Sequence, residues 1–77
     1  MSPSLSLLLD HYRRSLAELV DQLRPANAPP CPEGEELLWA EAGEAEGWLA
    51  PDRAMELRRL AQRVRFYESR AAELLVR

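Results

Sequence analysis

Apolar residues recur every three or four positions through two long stretches of the chain. Leu5, Leu9, Tyr12, Leu16, Leu19 and Leu23 follow one another at spacings of 4, 3, 4, 3 and 4, which lays all six on one stripe of an α-helix, widened by Leu8 and Val20. Toward the other end Leu57, Leu60, Val64, Tyr67, Ala71 and Leu74 repeat at 3, 4, 3, 4 and 3. Two matching seams predict two long helices that pack on each other. Ser2 before Pro3, or Ser4, can cap the first; Pro25, which has no N–H and clashes with the preceding turn, ends it. The first helix is therefore expected over residues 4–24. Asp10, Arg14 and Glu18 stand four apart on its back and alternate in sign, the mark of a solvated face.

The stretch PANAPPCPEG, Pro25 to Gly34, places four prolines in ten residues. Such density excludes helix and strand and predicts an extended, stiff linker over 25–32, able to carry the chain back along a bundle. Pro32 and Glu33 then suit the first turn of a second helix, expected over 33–46, with Glu35 and Glu36 adding negative charge where the helix dipole favours it. On a wheel, Leu38, Ala42 and Ala45 read as its inner side, whereas Ala40, Gly43 and Gly47 read as a smooth outer one. Trp39 and Trp48 are nine residues apart and would point in opposite directions on a continuous helix. A break at Gly47, in the left-handed conformation that ends many helices, removes that conflict; Pro51 reinforces it. A turn over 47–50 and a third helix over 51–76 complete the expectation. The fold class is all-α, a small three-helix bundle of one domain spanning 1–77. An up-down-up order would make the two long helices parallel.

Composition narrows the chemistry. A chain of 77 residues buries a modest share of its unfolded surface and gains support from a disulfide, a metal, regular helices or a partner. Cys31 is the single cysteine and His11 the single histidine, so neither an internal disulfide nor a structural metal site is expected. Cys31 has no nearby cation in sequence and reads as an incidental thiol. His11 has no nucleophile in a recognisable spacing, no phosphate-binding glycine loop is present, and acids such as Glu41 and Glu44 read as solvated. Enzyme activity, cofactors and a small-molecule substrate are therefore not expected. No run approaches the roughly 20 apolar residues of a membrane span, and Met1 to Leu9 lacks a basic leader, so a soluble, cytoplasmic protein is expected. All ten basic residues are arginine, consistent with a GC-rich bacterial or phage coding sequence.

Two features point toward a partner. Met55, Arg59, Gln62, Phe66, Arg70 and Glu73 fall on or near the face of the third helix opposite its seam, with Arg63 beside them; since Phe, Met and Arg are enriched where partners bind, Met55, Arg59, Gln62, Arg63, Phe66 and Arg70 are the candidate partner-binding residues. Charge is also unevenly distributed: Glu33 to Leu49 holds six acids and no base, whereas Pro51 to Arg77 holds seven arginines against four acids. The net charge of −3 opposes a phosphate backbone, so another protein, or a second copy of the chain, is the expected partner. A nucleic-acid-binding regulator using Arg58, Arg59, Arg63 and Arg65, and a self-assembling structural bundle, are the alternatives. In size and helical patterning the chain is similar to small bacterial secretion co-chaperones and phage-encoded inhibitors, a likeness of class carried by no residue motif. The expected role is an interaction module: an adaptor, co-chaperone, inhibitor or accessory subunit.

Overall fold

The computed structural model describes residues 4–75 and forms an all-α three-helix bundle: α1 (Leu5–Leu23), α2 (Glu36–Glu46) and α3 (Pro51–Leu75). Ser4 caps α1, its Oγ accepting from the Leu7 N–H at 3.2 Å; the other candidate, Ser2 with Pro3, lies outside the described residues, as does Val76 at the expected end of α3. Arg24 leaves the helical region at φ −72°, ψ 118°, as a residue ahead of proline must.

The core is built from the two seams. Leu9, Leu16 and Leu19 of α1 are buried against Ala54, Leu57, Ala61 and Val64 of α3, with Tyr12, Val20, Leu23, Leu60, Tyr67 and Ala71 packed around them. No polar or charged residue is buried among the described residues. Leu74, expected in the seam, is instead 61% exposed. A straight helix turns about 20° further with each seven-residue step, so the row Leu60, Tyr67, Leu74 swings progressively out of the contact.

The long helices are antiparallel, not parallel. Tyr12 stacks on Tyr67 and Arg13 pairs with Glu68, while Gln22, nearly three turns further along α1, shares a groove with Asp52 at the start of α3. The linker explains the direction. It runs over residues 24–35 rather than 25–32 and returns the chain to the level of α3 residues 61–68, where Cys31, Glu33 and Gly34 approach them. Ala28 is buried on the way, and the Pro29 carbonyl accepts from Trp39 Nε1 at 3.2 Å. An extended return path, not an up-down-up order, sets the topology: α1 and α2 run the same way and α3 runs against both.

The second helix begins at Glu36, three residues later than the sequence suggests. The Glu35 N–H closes a turn onto the Pro32 carbonyl at 3.1 Å, and Gly34 takes φ 88°, a left-handed conformation that interrupts any helix started at Glu33. Its buried face is also the opposite of the one expected. Leu38 is 64% exposed and Ala42 and Ala45 are exposed, whereas Trp39, Ala40 and Gly43 are buried. Small residues face inward here because α3 and the following turn approach closely.

That turn is a Schellman ending. Gly47 at φ 85° lets the Trp48 N–H reach the Gly43 carbonyl at 3.1 Å and the Gly47 N–H reach the Glu44 carbonyl at 3.2 Å. The chain reverses and folds Trp48 back over Gly43, so that Trp39 and Trp48 meet edge to face with centroids 4.9 Å apart. The break at Gly47 brings the two tryptophans into one cluster.

Candidate functional site

With α2 and the linker on one side of the α1–α3 pair, the other side is left as an open groove of about 720 Å³. Leu19 and Leu60 supply apolar lining, Tyr12 closes one end, and Met55 stands on the α3 wall. The walls are polarised. Glu18, Asp52 and Glu56 gather where α1 ends and α3 begins, whereas Arg59 and Arg63 lie further along α3 toward Tyr12.

Four of the six residues singled out in sequence, Met55, Arg59, Gln62 and Arg63, line this groove. Phe66 and Arg70 do not line it; they continue the same stripe of α3 beyond it. Met55 is 53% and Phe66 60% exposed, a large apolar pair on an otherwise polar helix face. Arg63 is held rather than loose: its Nη1 donates to the Tyr12 hydroxyl at 3.0 Å, and its guanidinium lies over the Tyr12 ring, 5.3 Å from the centroid. That hydrogen bond, first, holds the Arg63 pKa above its ordinary value. Arg70 makes a loose pair with Glu73 at 3.6 Å, on an exposed face where such a contact contributes little.

Sequence reasoning missed the α1 half of the site. Tyr12, Ser15, Leu19 and Gln22 line the groove, and His11, Tyr12, Tyr67 and Phe66 form a run of neighbouring rings with centroids 5.1, 5.3 and 5.4 Å apart. The proline-dense linker carried the necessary signal. A chain that returns along the bundle makes α1 and α3 antiparallel, and that direction sets Tyr12 opposite Tyr67.

Glu44, expected to be solvated, is half-buried: its Oε1 is shielded from water and faces the Arg58 guanidinium, a charge pair without hydrogen-bond alignment. Cys31 borders a second cavity of about 480 Å³ under the linker. Burial, with Glu36 and Glu35 nearby, pushes its thiol up to about 11, so it stays protonated and weakly nucleophilic at neutral pH. Among the described residues no three His, Cys, Asp or Glu side chains gather in a metal-holding group, and no helix is long and apolar enough to cross a membrane.

Fold and groove together define the class: a small all-α bundle with one open two-helix face. The chain matches no family model, no curated protein and no solved structure.

Proposed function

We propose that the chain is a protein-protein interaction module, of the adaptor, co-chaperone, inhibitor or accessory-subunit kind, that docks a helix of another polypeptide along the outward stripe of α3 and the groove beside it. The observation that carries this reading is the coincidence of the groove with Met55, Arg59, Gln62 and Arg63, continued by the exposed Phe66. A fourth helix laid there would cover the face that α2 leaves open and remove Met55 and Phe66 from water. The arginines of α3 also favour a protein over nucleic acid. Arg53, Arg58 and Arg70 each face a carboxylate, of Glu56, Glu44 and Glu73, which dilutes the positive field offered to a phosphate backbone.

A photo-reactive amino acid placed at Gln62 in the native host tests the reading. Irradiation is expected to yield a covalent adduct with a polypeptide, and the same group at exposed Ala42 on α2 is expected to yield none. Equal adducts at both positions, or an adduct with nucleic acid at Gln62, would overturn it.

A further inference from the structure

The linker is more than a return path. Pro29, Pro30 and Pro32 have φ held near about −65° by their rings, and Ala28, Pro29 and Cys31, each followed by proline, are pushed out of the helical region into extended backbone. Every peptide bond among the described residues is trans. These constraints set Ala28 to Pro32 in polyproline II geometry, a three-sided rod that repeats every third residue and rises about 3.1 Å per residue. Burial follows that period. Ala28 is 8% exposed and Cys31 is half-buried, whereas Pro29, Pro30 and Pro32 are exposed. One edge of the rod rests on the bundle; the other two, Pro29 with Pro32 and Pro30 between them, face water.

The fold also grips the rod. Trp39 Nε1 donates to the Pro29 carbonyl at 3.2 Å and Arg24 Nε to the Ala28 carbonyl at 3.2 Å, while the Glu35 N–H holds the Pro32 carbonyl at 3.1 Å. Among the described residues no group donates to the Pro30 or Cys31 carbonyl. From this geometry we infer that the linker is a ligand for a protein domain with an aromatic-lined polyproline groove. Such a groove takes a polyproline II rod against its aromatic rings, and the indole N–H or phenol O–H of those rings donates to ligand carbonyls. The rod offers two ring-bearing edges and two unclaimed carbonyls, and because the bundle already fixes it, little ordering is left to oppose binding. This partner is distinct from the helix docked on α3, since the linker and the open groove lie on opposite sides of the α1–α3 pair. The chain then has two faces, as an adaptor needs, and either can fail without the other.

A photo-reactive amino acid at exposed Asn27, beside the rod and outside it, tests this on the full chain. Incubated with native-host extract and irradiated, the chain is expected to form an adduct with a polypeptide, attached close to Trp or Tyr residues by mass spectrometry. A free oligoproline of about ten residues, which adopts the same geometry in water, is expected in large excess to suppress this adduct and to leave one formed from Gln62 unchanged. Pro29→Ala with Pro32→Ala strips one edge and should weaken capture at least about thirtyfold, the loss typical of a central anchor. Cys31→Ala, on the inner edge, should leave capture unchanged. Helical content by circular dichroism is expected to be the same in all these chains, because the substitutions lie outside the helices; were the double variant to unfold, the oligoproline competition decides alone. No adduct at Asn27, an adduct that oligoproline does not displace, or full capture by a folded double variant would overturn the inference and leave the proline rings a stiffening role alone. Loss of capture on Cys31→Ala would overturn it as well, since the inner edge would then be the one that is read.

Discussion

Gly43 lies under the turn that follows it. A β-carbon built there would stand 2.8 Å from Leu49 Cβ and 2.9 Å from two atoms of the Trp48 ring, closer than real side chains approach. Neither neighbour yields easily, since Leu49 Cβ is fixed by the backbone and the Trp48 ring is rigid and pinned between Trp39 and the Glu46 carboxylate, which accepts from Trp48 Nε1 at 2.7 Å. Gly43→Ala is therefore expected to destabilise by up to about 2 kcal/mol, because overpacking costs about 1–3 kcal/mol and the helix-propensity gain over glycine offsets about 1 kcal/mol of it. Gly47→Ala is expected to cost about 1 kcal/mol for a different reason: its Cβ would meet open space, but φ 85° is strained for any L side chain. Urea denaturation of both variants checks this, and a stabilised Gly43→Ala would show that Trp48 does not cover α2. Helix propensity alone gives Gly43→Ala the opposite sign. The left-handed Gly47 was legible from the residues around it; the ring folded over Gly43 was not, because it depends on where the reversed chain lands.

Among elements, α3 separates what periodicity reveals from what packing decides. Its 3-4 spacing correctly marks a helix and correctly places Leu57, Val64 and Tyr67 toward α1. The same spacing does not show that the middle of the row is Ala54, Leu57, Ala61 and Val64, with two alanines letting the helices close up, or that Leu74 drifts out. Leu57, fully buried at 0% exposure, should lose about 2–5 kcal/mol on replacement by alanine, a large part of what so small a bundle holds. Leu74→Ala should change stability by no more than about 0.5 kcal/mol, as exposed positions do. Matched denaturation midpoints for the two variants would mean that the seam is not the core. For α2 the failure was of a different kind. Apart from Trp39 its buried face consists of an alanine and a glycine, so a wheel read for aliphatic residues assigns the inner face to Leu38, and only the close approach of α3 and of the turn after Gly47 reverses the choice.

At the scale of the whole molecule, the decisive quantity is direction. Short connections favour alternating neighbours, and a three-helix chain read that way has parallel outer helices. The proline-rich segment is a stiff return path instead, and from it follow the antiparallel α1–α3 pair, the stacking of Tyr12 on Tyr67, and the polarity of the groove, with acids at one end and arginines at the other. The α3 half of the candidate site was therefore legible as a stripe, while the α1 half was invisible without the direction. Spin labels measure direction in solution. In a Cys31→Ser background, one label at Gln22 is paired either with Asp52 or with Arg70, all three being exposed, and the labelled chain is diluted with unlabelled protein so that only distances within one chain register. Arg70 lies eighteen residues beyond Asp52, about 27 Å along α3 at 1.5 Å per residue. Because Gln22 shares the groove with Asp52, the Gln22–Asp52 pair is expected to be the shorter by about 20 Å, the remainder being absorbed by the width of the helices and the reach of the labels. Parallel long helices would bring Gln22 toward Arg70 and reverse the order. That reversal would also take Tyr12 away from Tyr67 and dismantle the groove, so the two distances test the site together with the topology.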